Sequence, residues 1–131
     1  MELTSYLENW INQKLLKYAE QIGISRYQMP IPVLSREELA QVPAHITWNY
    51  TADKVKTNKG ITYWGHDHNL ISFINVKRHR TMHDLEDTIV HELVHIRFQS
   101  LAHGPRYQKR VDEIMEGKAF KPYKQIGRAH V

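Results

Sequence analysis

The sequence predicts an α+β fold in which helices pack against a small sheet of three to four strands. Apolar residues recur at helical spacing near both ends of the chain, whereas the middle contains short segments rich in β-branched and aromatic residues. Proline and glycine separate these segments. Because the chain has 131 residues and no long linker or repeat, we expect one domain over residues 1–131, with a basic tail from about residue 118 to 131.

The first third of the chain predicts two helices. Its apolar residues follow a helical period that ends near Gly23, and Ser5 with Glu8 form the pattern of a capping box. The next segment, MPIPV, contains too much proline for a helix. SREELAQ begins with the capping pattern again, because Ser35 is followed three residues later by Glu, so we expect a short second helix there.

The middle of the chain predicts three strands in a mixed sheet, and the remainder predicts two more helices. HITWNY, GITYWG and LISFINV are short, β-branched and aromatic, and turn signals separate them. A helical period returns from Thr81 to Leu101, where HGP interrupts it. A last helix runs from Pro105 to about Gly117, since proline suits the first turn of a helix.

Composition narrows the classes of protein that the chain can represent. It is 41% hydrophobic and 24% charged, which is typical of a globular domain. No apolar run approaches the length of a membrane span, and the N-terminus lacks the features of a signal peptide, so we expect a cytoplasmic monomer without a membrane partner. Cysteine is absent, which excludes disulfides, thiol nucleophiles and Cys-based zinc sites. Any metal site must therefore use His, Asp or Glu.

The segment IVHELVHI places three polar residues inside an apolar helix. Burial of an unpartnered polar group costs several kcal/mol, so these residues require compensation. Residues four apart lie on one helix face, so His91 and His95 can direct both imidazoles at one point, with Glu92 beside it. This is the HExxH arrangement, in which two His hold zinc and the Glu deprotonates the metal-bound water. The apolar surroundings disfavour the alternative, two exposed histidines on a helix surface.

A catalytic zinc normally has three protein ligands, so a third one is needed. The metzincin pattern requires Gly and His where this chain has Phe98 and Leu101, which excludes that class. The remaining candidates are His103, Glu113 and Glu116. A continuous helix would place His103 about 12 Å along the axis from the HExxH pair. The Gly-Pro pair that follows allows the helix to stop first, and we therefore favour His103.

HELVH followed by HGPRYQKRV resembles the SprT-like metalloprotease domain, whose pattern is HExxH, a short variable segment, and HGxxF with a helix behind it. The resemblance implies a zincin-like fold with HExxH on a central helix. It implies zinc bound by His91, His95 and His103. Glu92 would be the catalytic base, and Tyr107 stands where the family favours Phe. Since the chain has no Cys, we expect a minimal version without the Cys-based zinc ribbon of many bacterial members.

Residues around the motif carry further expectations. His83 or Asp87 is expected to hydrogen-bond a ligand imidazole, and Asp87 is favoured because it precedes His91 by one turn. His66 and His68 are expected to be ordinary loop residues. A peptide substrate would bind as an extended strand at a sheet edge. Four aromatic residues lie on the predicted strands, and we expect about two of them in the core and the others in substrate pockets: Trp48, Tyr50, Tyr63 and Trp64.

The positive charge lies near the C-terminus, where residues 97–131 hold 8 Lys and Arg against 3 Asp and Glu. The main hypothesis is a zinc metalloendopeptidase, and the basic region extends it to substrates associated with DNA. One alternative is a nucleic-acid-binding module whose zinc is mainly structural, because phosphate contacts depend on such charge. Another is a metal hydrolase that acts on substrates other than peptides.

Overall fold

The computed structural model describes residues 1–47, 50–65 and 69–122, except for the side chains of Ala44 and His45, and it has the predicted α+β architecture. The helices are α1 (Ser5–Gln21), α2 (Arg36–Gln41), α3 (Ala44–Thr47), α4 (Met82–Arg97) and α5 (Pro105–Met115). The strands are β1 (Ile31–Val33), β2 (Gly60–Trp64) and β3 (Leu70–Ile74). Short 3-10 turns occupy Arg26–Gln28 and Val76–Arg78. In the described ranges, no helix is long and apolar enough to cross a membrane.

The three strands form one mixed sheet in the order β1-β3-β2. The sequence predicted a mixed sheet of this size, but not the order of its strands. β1 pairs with β3 in parallel and β2 pairs with it in antiparallel register. Every residue of β3 is buried, because β3 is the central strand and both of its faces are covered. Leu70 and Ile74 join the larger apolar cluster, which includes residues of α1, α4 and α5. Ile71 and Phe73 face the smaller cluster on the other side of the sheet.

One of the three strand predictions was wrong. HITWNY was expected to form a strand, but the chain is helical over Ala44–Thr47, and residues 48 and 49 lie outside the described residues. The carbonyl oxygen of Pro43 accepts hydrogen bonds from the next turn, and proline is favoured at a helix start. The missed strand is β1, which contains Pro32. β1 lies at the sheet edge, where the absence of a proline N–H is tolerated.

The helix boundaries differ from the predicted ones by a few residues. α1 is capped by the side chain of Thr4, which accepts a hydrogen bond from the backbone of Leu7, and not by Ser5. α4 begins after Thr81, as expected, but it ends at Arg97, four residues before the predicted end at Leu101. The shorter α4 leaves a connection to α5 that can turn back over the helix.

α4 is the central helix of the larger cluster, in contact with α1, α5, β2 and β3. Leu85, Ile89 and Leu93 on its inner face have no exposed surface. Each such side chain contributes about 1.5–3 kcal/mol through burial. The packing therefore fixes the position and rotation of the helix that carries the HExxH segment.

Candidate metal centre

The structure brings the three predicted histidines together. One ring nitrogen from each of His91, His95 and His103 lies within 4.8 Å of those of the other two. His95 Nε2 and His103 Nε2 are 3.0 Å apart. A tetrahedral zinc with Zn–N bonds of about 2.0–2.1 Å would hold its ligand nitrogens roughly 3.3 Å apart. The three imidazoles are therefore arranged so that they can share one metal ion.

A reversal between α4 and α5 brings His103 to the other two histidines. α4 ends when Phe98 leaves the helical conformation, with φ −123° and ψ 63°. Gly104 then precedes α5 with φ +142°, which glycine adopts readily and other residues rarely do. Pro105 begins α5. α4 thus ends before the Gly-Pro pair that the sequence indicated as the break, and that pair instead begins α5, which packs against α4.

The aromatic ring of Tyr107 on α5 contacts the rings of all three histidines. Its ring centroid lies 4.6 Å from that of His91, 5.1 Å from that of His95 and 4.9 Å from that of His103. Its hydroxyl donates a hydrogen bond of 2.6 Å to the carbonyl oxygen of His91, and the side chain is buried. Burial, followed by the negative charge of Glu92, raises the pKa of the phenol. Tyr107 therefore stays neutral and links α5 to the helix that carries two of the histidines.

The electrostatics of the site favour neutral imidazoles. Burial, followed by the positive charges that the other two histidines would carry, lowers the pKa of His95 to about 4. Burial and then the charge of His103 also lower the pKa of His91, while Asp87 acts in the opposite direction. A neutral imidazole has a lone pair for a metal, whereas an imidazolium has none. At neutral pH His91 and His95 are thus in the form that binds a cation.

Glu92 points from α4 toward the sheet and is 2% exposed. Its Oε1 accepts a hydrogen bond of 2.6 Å from the hydroxyl of Thr62 on β2, and that hydroxyl lies 2.7 Å from the hydroxyl of Ser72 on β3. Burial raises the pKa of Glu92 to about 7, against the lowering effect of the Thr62 hydrogen bond. A carboxyl group whose pKa is near the ambient pH can both accept and return a proton.

Sequence reasoning missed Thr62 and Ser72. The available signal was the serine at the centre of LISFI, an otherwise apolar segment of the kind that forms a fully buried strand. A serine at such a position requires a hydrogen-bond partner, because an unpartnered hydroxyl is costly to bury. Only the pairing of the strands shows that its partner is Thr62.

The residue expected to orient a ligand imidazole has another partner. The carboxylate of Asp87 accepts a hydrogen bond of 3.2 Å from the side-chain amide of Gln108 on α5. His83 is exposed at the start of α4. Among the described residues, neither side chain hydrogen-bonds to His91. That expectation was therefore wrong for the structure, because α5 packs close enough for Gln108 to engage Asp87.

The acidic alternatives for a third ligand lie outside the histidine group. Glu113 pairs with Arg110 and Lys118 at 3.6 and 3.4 Å. Glu116 is exposed at the end of α5. The other two loop histidines, at positions 66 and 68, lie outside the described residues.

The aromatic residues of β2 divide between core and surface. Tyr63 is buried and stacks on Tyr50, with 4.5 Å between the ring centroids. Trp64 is 55% exposed and, with His95 and Gln99, lines a cavity of about 190 Å³ between β2 and α4. The fourth residue, Trp48, lies outside the described residues.

Comparison of the chain with family models, with curated proteins and with solved structures gives no match. The interpretation of the site thus depends on its own geometry and chemistry. Its main features are three converging imidazoles, a buried carboxylate with a raised pKa, and an edge strand beside them.

Proposed function

We propose that this chain is a zinc-dependent metalloendopeptidase of the SprT-like, zincin type. The observation that supports it most strongly is the convergence of His91 and His95 on α4 with His103 of the α4–α5 connection, near the buried carboxylate of Glu92. A set of three imidazoles suits zinc, and three protein ligands leave one coordination position open, as in catalytic rather than structural sites. Bound there, zinc would supply Lewis-acid polarisation of a peptide carbonyl and would make water a stronger nucleophile at neutral pH.

Glu92 is the proton carrier in this proposal. Its carboxylate accepts a proton from the attacking water as the carbon–oxygen bond forms, and it delivers that proton to the leaving amine as the peptide C–N bond breaks. The pKa of about 7 suits both transfers, because it lies near the working pH. The neighbouring Tyr107 hydroxyl, already bonded to the His91 carbonyl, stays neutral and does not compete for the proton.

The edge of β2 offers a place for the substrate as an extended strand. Among the described residues β2 pairs with β3 alone. The hydrogen bonds from Asn75 to Lys59 and from Gly65 to Asn69, each 2.8 Å, mark the positions that bond to β3. Because bonding alternates along an antiparallel strand, the backbone groups of residues 60, 62 and 64 point away from β3. A peptide can add there as a further strand, beside the cavity that Trp64 and His95 line.

Substitution of the proposed base tests this function. Glu92→Gln keeps the shape and the hydrogen-bond acceptor of the side chain but removes proton transfer. We expect the variant to keep one zinc per chain and to lose cleavage of an unfolded protein such as casein by about 100-fold or more. Zinc is measured by elemental analysis and cleavage by gel and mass spectrometry.

Glu116→Gln is the matched control, because Glu116 is an exposed acid outside the site. It should keep both zinc and cleavage. Undiminished cleavage by Glu92→Gln would remove Glu92 from the mechanism. A parent protein that binds zinc and cleaves no peptide would reject the peptidase proposal and favour a metal hydrolase of another substrate class.

A second candidate function is nucleic-acid binding, either alone or as the means of reaching DNA-associated substrates. Arg97, Arg106 and Arg110 line a cleft of about 670 Å³ that also contains Phe98. Guanidinium groups bind phosphate, and an aromatic ring can stack on a base. Arg110 itself lies over the Phe98 ring at 4.6 Å.

Charge reversal at Arg106 and Lys109 separates the two functions, because both side chains are exposed and lie outside the histidine group. If the surface binds DNA, the double variant should lose affinity while keeping zinc and peptidase activity. The affinity of the parent should also fall steeply with salt. The absence of any DNA binding by the parent at low salt would reject this candidate.

A further inference from the structure

We propose that Thr62 is a positioning residue for Glu92, supported by Ser72 and given space by Gly60. The inference rests on the proposed peptidase function, because it assigns a role toward the proposed base. The supporting observations are the contacts that the Glu92 carboxylate makes with β2. In this assignment the hydroxyl of Thr62 bonds to neither the scissile carbonyl nor a metal ligand, so it acts through Glu92.

Strand register brings the two hydroxyls together on one face of the sheet. Thr62 lies opposite Ser72 in the antiparallel pair of β2 and β3. The neighbouring hydrogen-bonded positions make this a non-hydrogen-bonded pair, in which side chains approach most closely. Ser72 has no exposed surface and lies between Leu70 and Ile74, both of which pack in the cluster that contains α4. The two hydroxyls thus face the helix that carries Glu92.

The direction of the hydrogen bonds follows from the number of protons. An ionised carboxylate only accepts, so the single hydroxyl proton of Thr62 goes to Oε1 of Glu92 at 2.6 Å. Ser72 must then donate its own proton to the Thr62 oxygen, 2.7 Å away. A short chain of hydrogen bonds therefore runs from Ser72 through Thr62 to Glu92. Each bond polarises the next, which strengthens the hold on the carboxylate.

Gly60 restrains the other carboxylate oxygen by contact. A Cβ added at Gly60 would lie 2.8 Å from Oε2 of Glu92, 3.1 Å from its Cδ and 3.1 Å from the carbonyl oxygen of Phe73. Gly60 has no positive φ, so its backbone conformation does not require glycine. Glycine is required here because a side chain would occupy the space of the Glu92 carboxylate. Oε1 is thus held by a hydrogen bond, and Oε2 fits against a strand that has no side chain at that point.

This arrangement predicts an effect on rate rather than on zinc binding. Thr62 and His95 line the same cavity between β2 and α4, so the carboxylate is held on the side where a strand-bound peptide would lie. A displacement of about 1 Å in a reacting group can cost on the order of 100-fold in rate. The three imidazoles have no hydrogen bond to Thr62 among the described contacts, so their geometry should persist when Thr62 changes.

Variants at Thr62 test the assignment. Thr62→Val removes the hydroxyl and keeps the shape, and we expect kcat to fall about 10- to 100-fold with KM and zinc content unchanged. Thr62→Ser keeps the hydroxyl and should restore most of the parental kcat, whereas Ser72→Ala should cost less than Thr62→Val. Thr57→Val, the same change at an exposed position, is the control. Crystal structures of the zinc-loaded parent and variants give the position of the Glu92 carboxylate.

Each outcome has a defined meaning. A displaced carboxylate in Thr62→Val, with the loss of kcat reversed in Thr62→Ser, supports the proposal. A carboxylate in its parental position, or a kcat per folded molecule that does not change, overturns it. If Thr62→Val does not fold, Gly60→Ala applies the same test from the Oε2 side, with the same two readings. If the parent cleaves no peptide, the proposed function fails, and the crystallographic position of Glu92 alone decides this inference.

Discussion

The core histidine near the N-terminal end of α4, His79, and the three histidines near its C-terminal end differ in their hydrogen-bond partners. At its N-terminal end, His79 is 1% exposed, and both of its ring nitrogens have protein partners. Nδ1 lies 2.8 Å from the carbonyl oxygen of Asn75, and Nε2 lies 2.7 Å from the hydroxyl of Thr88. A carbonyl only accepts, so Nδ1 carries the proton and Nε2 of the neutral ring accepts from Thr88. His79 is therefore a core residue with both ring nitrogens hydrogen-bonded to the protein.

At the other end of α4 the histidines face one another. His95 Nε2 lies 3.0 Å from the Nε2 of His103, which is another imidazole nitrogen. His95 is not protonated at neutral pH, because burial and the neighbouring rings lower its pKa to about 4. A cation between the rings would use the lone pairs that the protein leaves directed at one point. The partners of a histidine, rather than its burial, therefore distinguish a core residue from a candidate ligand.

Removal of one imidazole from the group of His91, His95 and His103 should have the largest effect of the substitutions considered. We expect His95→Ala to lower zinc affinity on the order of 100-fold or more, because a structural or catalytic zinc draws its binding free energy from few ligands. Competition with a chromophoric chelator measures the affinity, and elemental analysis gives the stoichiometry. His79→Leu should keep the zinc affinity of the parent. Equal zinc affinity in the His95→Ala variant and the parent would show that the converging rings are not a metal site.

The reciprocal experiment removes the core histidine. His79→Leu leaves the Thr88 hydroxyl without its partner in a buried position, which typically costs about 1–3 kcal/mol. We expect a decrease of about 2 kcal/mol in the free energy of unfolding, measured by denaturant titration with a chelator present. His83→Leu, at an exposed position of α4, should change stability by less than about 0.5 kcal/mol. A loss confined to His83→Leu would contradict the structural role of His79.

The core histidine should also make stability depend on pH. Burial is the main cause that lowers the pKa of His79 below its ordinary value of 6.5 in the folded state. Below pH 6.5 the unfolded chain binds a proton that the folded chain does not, so the free energy of unfolding falls as pH falls toward the lowered pKa. The contribution is fully present above pH 6.5.

Comparison with a variant isolates this contribution from the other titrating groups. The charged groups around His79 are Lys59, the terminal ammonium of Met1, and Asp84, whose pKa the hydrogen bond from Lys59 lowers. Asp84 therefore keeps its charge between pH 7 and about pH 5. In chelator, the stability difference between the parent and His79→Leu should narrow over that range. A difference that stays constant or widens on acidification would mean that His79 is protonated in the folded protein.

The sequence predicted the parts of this molecule that depend on local pattern. The spacing of His91 and His95 requires only helical geometry, and a proline after a glycine favours the start of a new helix. These local rules anticipated α4, α5 and the three histidines that the structure brings together. Similar reasoning failed for HITWNY, because the preference of its residues for strands gave way to a helix that begins after Pro43.

The parts that the sequence did not reveal depend on contacts between distant segments. Thr62 and Ser72 are assigned to Glu92 only when β2 pairs with β3 and both pack on α4. His79 is a core residue because the chain before α4 folds back against Thr88. No periodicity or spacing rule encodes such pairings, since each links residues through tertiary packing.

Substitution of Tyr107 should have the smallest effect, because its ring contacts the three candidate ligands but is not a ligand itself. Its hydroxyl ties α5 to the carbonyl oxygen of His91. Tyr107→Phe introduces the residue that the SprT-like pattern favours. It removes that hydrogen bond and keeps the ring that contacts the three histidines. We expect a decrease of about 0.5–1.5 kcal/mol in the free energy of unfolding and an unchanged zinc stoichiometry. Denaturant titration and elemental analysis measure both quantities.

Tyr6→Phe is the matched control for this substitution, because Tyr6 is 73% exposed and should lose no stability when its hydroxyl is removed. If Tyr107→Phe lost zinc, the hydroxyl would be part of what holds the imidazoles in place. If it lost neither zinc nor stability, the bond to His91 would make no net contribution. Ring stacking alone would then account for the contact of Tyr107 with the three histidines, and the Phe that the family pattern favours would serve equally well.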